Sequence, residues 1–209
     1  MSRIYLSQDG VFETIQGEGS TVGRLSTFVR LQGCNLDCHF CDTAYTWNGT
    51  EESVKKFVSD VSNEMLSHNA RNFIITGGEP LLQAGGVEEL VSLLIGAGGT
   101  VEIETNGTIL PTDYICDNCT INCSPKKGHI NDYVIRYIST YSKNIFKFVT
   151  DGDDIIDCIP SYLDRDKVWL MPMTNGSVNY SKCFNLCMKH GYNLSPRLQV
   201  EIFGDKRNV

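Results

Sequence analysis

Short runs of β-branched and aromatic residues alternate with segments of helical period along this chain, and that alternation restricts the fold more than any other feature. Residues 27–31, 73–76, 101–104, 145–149 and 168–171 are bounded by turn formers and predict strands. Between them, Val54, Phe57, Val58, Val61 and Met65 recur at three- and four-residue steps, with Glu51 and Glu52 placed at the positive start of a helix. Val87, Leu90, Val91 and Leu94 predict a second helix that ends in the glycines of 96–99. Val134, Tyr137, Ile138 and Tyr141 predict a third, and Cys183, Leu186, Cys187 and His190 a fourth. This order favours βαβ units around a parallel sheet, with functional loops at the carboxyl ends of the strands. About six such units are too few for a full eight-stranded barrel. The expected fold is therefore α/β, an open and incomplete parallel β/α barrel forming a single domain over 1–209, with a doubly wound sheet as the competitor.

Charge and cysteine usage narrow the function. Eighteen basic against twenty-five acidic side chains leave a formal charge of -7, which opposes direct nucleic-acid binding. No apolar run approaches the roughly 20 residues that span a bilayer, and residues 1–10 lack a signal peptide's apolar core. A cytoplasmic chain without a membrane partner is expected. Nine cysteines are an odd number, so a fully paired disulfide framework fails and metal or cofactor ligation becomes the first alternative.

The most informative segment follows the first predicted strand: Cys34, Cys38 and Cys41 fall in the spacing C-x3-C-x2-C. Three sulfurs at this spacing can bind three irons of a four-iron cluster, leaving the fourth iron open to a chelating small molecule. A tetrahedral zinc site completed by His39 or a distant residue is the alternative, and would make the chain a non-catalytic interaction module. The second predicted strand ends in Thr76-Gly77-Gly78-Glu79-Pro80, where glycines let backbone approach a ligand and proline fixes the exit. Together, Cys34-x3-Cys38-x-Phe40-Cys41 and Gly77-Gly78-Glu79-Pro80 resemble the radical S-adenosylmethionine enzymes. The resemblance implies that the methionine part of S-adenosylmethionine chelates the open iron, that Gly77, Gly78 and Glu79 lie by its amino group, and that Phe40 lies against adenine. Electron transfer from the cluster would then release a 5′-deoxyadenosyl radical.

Residues 12–24 are polar, glycine-rich and poorly periodic, which by itself suggests only a loop that closes over something, or a surface turn. Phe12-x3-Gln16-Gly17-Glu18-Gly19, Gly23-Arg24, Phe28 to Cys34, Cys41-Asp42-Thr43, Glu104 to Thr108, Ser124-Pro125-Lys126 and Lys147-Phe148-Val149 resemble, in order and spacing, the 7-carboxy-7-deazaguanine synthase family. The likeness extends from Phe12 to Gly204. It implies a radical lyase that converts 6-carboxy-5,6,7,8-tetrahydropterin to 7-carboxy-7-deazaguanine and ammonia in queuosine-type biosynthesis, using S-adenosylmethionine catalytically. It also implies magnesium, with Thr43 offering a hard oxygen ligand. Ile15, Gln16, Gly17, Glu18 and Thr76 would contact the pterin, and Arg30 would take its carboxylate through a planar, permanently charged fork. Glu104, Ser124, Pro125, Lys126, Met171, Pro172, Met173 and Thr174 match positions that contact S-adenosylmethionine. An electron donor such as a flavodoxin and a homodimer are further implications. A glycyl-radical activase shares the cysteine loop, but the QGEG and SPK segments argue against it.

The chain departs from the family pattern at Met171 and Thr174, at Glu201, and in the residues after Gly204. Cys116-x2-Cys119-x3-Cys123 offers a second metal spacing, although Cys123 fits a strand and buried cysteine packs as a small hydrophobe. Cys158, Cys183 and Cys187 read as core, and His129 as exposed.

Overall fold

The computed structural model describes residues 2–173, 180–204 and 206–208. All five predicted strands form. β1 (Arg3–Ile15), β2 (Leu25–Leu31), β3 (Val54–Phe57), β4 (Asn72–Gly77), β5 (Thr100–Thr105), β6 (Thr120–Cys123), β7 (Ile145–Thr150), β8 (Val168–Pro172) and β9 (Asn193–Leu194) make one sheet in the order β3-β1-β2-β4-β5-β6-β7-β8-β9. β1 pairs antiparallel with β2 and β3, and every pair from β2 to β9 is parallel. Among the described residues the two edges, β3 and β9, do not pair, so the barrel stays open.

The helices are α1 (Val58–Ser67), α2 (Ala84–Gly96), α3 (Asp113–Asn118), α4 (Asp132–Ser139), α5 (Tyr180–His190) and α6 (Leu198–Phe203). Side chains on a strand alternate between faces, and here the alternation sorts chemistry. Phe73 and Ile75, Val101 and Ile103, Phe146 and Phe148, and Val168 and Leu170 join the buried apolar cluster, with Val87, Leu90, Val91 and Leu94 of α2 and Val134, Ile135 and Ile138 of α4. The alternate positions on the other face include polar residues, Asn72 and Thr76, Glu102 and Glu104, and Lys147, beside the apolar Ile74. One face builds the core, and the other is available for chemistry.

Two expectations need correction. Residues 54–57 are a strand and not the first turn of a helix, because they pair with β1 from Arg3↔Phe57 to Leu6↔Val54 and alternate in exposure. Glu51 and Glu52 thus precede an edge strand, and α1 begins only at Val58. The loop expected over 12–24 is shorter, because Phe12 to Ile15 continue β1, opposite Phe28 to Leu25. Gly10, at φ +60°, sits where the β1–β2 register shifts between Leu6 and Val11. That interruption hides the strand's period of two. Only the stretch from Gln16 to Arg24 is loop, tied by Gln16 N–H to Arg24 C=O at 2.8 Å and Gly23 N–H to Gln16 C=O at 2.7 Å.

Candidate active site

A cavity of about 850 Å³ opens beyond the carboxyl ends of the parallel strands. β2 and the loop after it contribute Arg30, Cys34, Cys38, Phe40, Cys41 and Thr43. β4 contributes Thr76 and Gly77, and Gly78 follows directly after it; β5 contributes Glu104; the turn after β6 contributes Ser124 and Lys126. Met171 and Met173 close the β8 side, and Ile15, Gln16, Gly17 and Glu18 enter from the end of β1. This is where an open α/β sheet places its ligands, since loops there are free of the ladder while strands fix their roots.

The three loop cysteines are partly buried and unpaired. Cys41 N–H bonds Cys38 C=O at 3.1 Å, Leu36 N–H points at the Cys34 sulfur at 3.4 Å, and the Thr43 hydroxyl lies 3.6 Å from the Cys41 sulfur. Among the described residues no three His, Cys, Asp or Glu side chains converge as ligands of one metal ion. In a polynuclear cluster each sulfur takes a different iron, so three thiols that line one cavity are a suitable donor set. The donor set, three thiols facing one space with Asn106 and backbone N–H groups around them, therefore fits a four-iron cluster.

The glycine strand end is built against this loop. A Cβ on Gly78 would stand 2.1 Å from the Gly33 carbonyl oxygen and 2.9 Å from Cys34 Cβ, and one on Gly77, at φ +143°, would stand 2.2 Å from the Leu31 carbonyl oxygen. Glu79 is fully buried behind the cavity wall and does not line it. Its carboxylate accepts from Leu81 N–H at 3.0 Å, Thr105 Oγ1 at 2.8 Å and Asn106 N–H at 2.7 Å, so it stitches β4 to β5. Burial pushes its pKa up. Pro125 and Pro172 are also absent from the cavity wall, and Thr174 lies outside the described residues.

Glu18 is the electrostatic centre of the part of the cavity that follows β1. Its carboxylate pairs with Lys147, accepts from Arg197 Nε at 3.3 Å and from Gln199 Nε2 at 2.6 Å. Burial alone would raise its pKa, but the Lys147 ammonium and the Arg197 guanidinium outweigh burial and hold it down at about 2. Burial likewise opposes the charge on Lys147, and Glu18, Glu104 and Glu102 overcome it. For Lys126, burial and then Lys147 lower the pKa and outweigh the opposing pull of Glu18, and its ammonium donates to the Ser124 carbonyl at 2.7 Å and hydroxyl at 2.6 Å. Gln16 donates to Glu102 and Glu104, each at 3.2 Å, and Thr76 donates to Glu104 at 2.8 Å. Burial, then the nearby Glu104, raises the pKa of Glu102.

Sequence reasoning assigned no role to Lys147, Arg197 or Gln199. For Lys147 a signal existed: a lysine alternating with Phe146 and Phe148 on a buried strand must face away from the core. Arg197 pairs with both Glu18 and Asp42, and no local pattern around it announces this. The second cysteine group is core: Cys116, Cys119 and Cys123 are fully buried, and burial pushes the Cys116 and Cys119 thiols up to about 11 and about 12. His129 is exposed as expected, and Cys183 and Cys187 pack into the core.

Residues 28–123 match the Radical SAM superfamily. The chain is 32% identical over 215 residues to a 7-carboxy-7-deazaguanine synthase of Pyrobaculum aerophilum, covering 94% of each chain. It is 37% identical over 172 residues to one of Aquifex aeolicus, covering 79% of this chain and 76% of the relative. The crystal structure of QueE from Escherichia coli superposes with a TM-score of 0.73 at 25% identity, over 92% of this chain and 93% of the other. A cavity ringed by cluster-spaced cysteines and a match along nearly the whole length of these enzymes lead to one conclusion: the chain belongs to the 7-carboxy-7-deazaguanine synthase family of radical S-adenosylmethionine enzymes.

Proposed function

We infer that the chain is a carbon–nitrogen lyase that converts 6-carboxy-5,6,7,8-tetrahydropterin to 7-carboxy-7-deazaguanine and ammonia in the queuosine pathway. The observation that carries this reading is that Cys34, Cys38, Cys41, Gly78, Arg30 and the Gln16 to Glu18 turn face one cavity. When bound, the four-iron cluster and S-adenosylmethionine supply the electron and the adenosyl carbon radical that removes a substrate hydrogen.

The chain's own residues hold and orient. Arg30, on β2 just before the cysteine loop, takes the substrate carboxylate as a bidentate partner. Gln16 and Thr76 fix Glu104 from two sides, so that its carboxylate meets S-adenosylmethionine in one orientation. Lys147 and Arg197 keep Glu18 ionised, and with Gln199 they fix the turn that lines the pterin edge. Gly17 leaves room for this contact, since a Cβ there would stand 1.7 Å from Gln199 Oε1. Ser124 and Lys126 border the S-adenosylmethionine side, with Gly77, Gly78, Met171 and Met173. Phe40 offers an aromatic edge for adenine. The Thr43 hydroxyl beside Cys41 would supply a hard oxygen ligand to magnesium.

We also place the enzyme in the cytoplasm as a homodimer fed by a flavodoxin-type electron donor. In the described residues no helix is long and apolar enough to cross a membrane. The test is direct: anaerobically reconstituted protein, reductant and S-adenosylmethionine are incubated with the carboxylated tetrahydropterin, and product is read by mass spectrometry. Formation of 7-carboxy-7-deazaguanine with release of ammonia is expected. A sample with four irons per chain that consumes no pterin contradicts the reading.

A further inference from the structure

Beyond α6 the chain turns back at Gly204, and Lys206, Arg207 and Asn208 join the cavity wall. Arg207 makes a dense set of contacts there. Its Nε donates to Asp9 Oδ1 at 2.9 Å, and a second bond runs to the same oxygen from Nη2. Nη1 donates to Glu51 Oε1 at 2.6 Å, and the guanidinium carbon lies 3.6 Å from the centre of the Tyr45 ring. The Tyr45 hydroxyl in turn donates to Asp9 Oδ2.

Asp9 is also the ion-pair partner of Arg30. Its side chain is only 3% exposed, and its Oδ2 lies 3.1 Å from Arg30 Nε. That contact lacks hydrogen-bond alignment, since Arg30 Nε is buried without a hydrogen-bond partner among the described residues. On another side, Arg30 stands 5.7 Å from the centre of the Phe12 ring. Two carboxylates, Asp9 and Glu51, thus meet two guanidiniums, and Arg207 satisfies both carboxylates in good geometry while Arg30 touches one of them poorly. Without Arg207, Asp9 would have Arg30 as its nearest cation, and a guanidinium neutralised by an internal carboxylate attracts an external one weakly.

We propose that Arg207 is a specificity-determining residue: by neutralising Asp9 and Glu51 it leaves the charge of Arg30 to the carboxylate of the substrate. The inference rests on the reading of Arg30 given above and extends it to a residue outside the segments that resemble the family.

The test uses anaerobically reconstituted full-length enzyme and equilibrium binding of two fluorescent probes, 6-carboxypterin and pterin without the carboxylate. The unaltered enzyme should prefer 6-carboxypterin. Arg207→Ala should weaken 6-carboxypterin binding about fivefold and leave plain pterin unchanged. Asp9→Asn in the same background should restore the preference, because the internal competitor for Arg30 is gone, and Arg207→Lys should fall between. The unchanged binding of plain pterin shows that the cavity is intact in each variant. Full retention of the preference in Arg207→Ala, equal loss of both probes, or failure of Asp9→Asn to restore binding would overturn the proposal. An unaltered enzyme that does not distinguish the probes would instead strike at the substrate reading on which the proposal stands.

Discussion

On the cluster side of the cavity, backbone packs on backbone: Gly78 lies against Gly33 and Cys34, Gly77 against Leu31, and the approach leaves no room for a single methyl group. Elsewhere around the cavity, charged side chains meet across long stretches of sequence: Glu18 with Lys147 and Arg197, Arg197 also with Asp42 of the cluster loop, and Arg207 with Asp9 and Glu51. The first wall is specified by residue types at fixed short spacings, because only glycine tolerates the contact. The second is specified by partners that come together only when the sheet has formed. A change on the first side should therefore displace the cluster loop itself, whereas a change on the second should alter charge balance and stability.

The largest expected effect comes from Gly78→Ala. The new Cβ must displace the Gly33 carbonyl or the Cys34 side chain, so the cluster loop moves. A shift of this kind at the reacting centre should cost roughly 100-fold in turnover. Bound iron should also fall, as read by iron and sulfide analysis of the reconstituted protein. Normal iron content with normal turnover would erase the distinction between the two walls.

Next is Arg197→Ala, which leaves the Glu18 and Asp42 carboxylates short of a cation. Removing one partner from a buried pair costs about 3–5 kcal/mol when the other charge is stranded; because Glu18 keeps Lys147 and Asp42 is exposed, a loss of about 3 kcal/mol is expected, and the urea midpoint at neutral pH reports it. Arg197→Lys keeps one charge but not the fork, and should recover part of that loss. An unchanged midpoint in Arg197→Ala would show that this wall is held by something other than charge.

A smaller and more selective effect is pH-dependent. The Glu18 carboxyl is depressed from 4.5 to about 2 in the folded protein, so its contribution is complete above pH 4.5 and is lost as pH falls toward 2. The contribution amounts to roughly 3 kcal/mol. The stability gap between unaltered protein and Glu18→Gln, measured by urea titration of the cluster-free chain, should narrow through that window. A gap that stays constant from pH 6 to pH 2.5 contradicts the assignment.

The same contrast explains what could be read from the residues alone. The five parallel core strands, α2, α4 and α5 were legible because Phe73, Ile75, Leu90 and Ile138 repeat with the period of their element. The cysteine loop and the Gly77 to Pro80 strand end were legible because their chemistry is local. β1 was obscured by the register shift at Gly10, and β3 by three- and four-residue spacings that continue into α1 without a break. Glu104 and Lys147 carried a usable signal, polar residues alternating with buried apolar ones, which fixes their face although not their partners. Arg197 and Arg207 carried none. Their partners lie 179 and 198 residues away, at Glu18 and Asp9, and only the assembled sheet brings them into reach.

The central claim, that cluster cysteines and Arg30 serve one cavity, is tested most directly by electron paramagnetic resonance of the reduced, reconstituted enzyme. S-adenosylmethionine should change the cluster signal by occupying the open iron, and the carboxylated pterin should change it again in unaltered protein but not in Arg30→Ala. A signal indifferent to S-adenosylmethionine, or a pterin effect that survives intact in Arg30→Ala, would contradict the account.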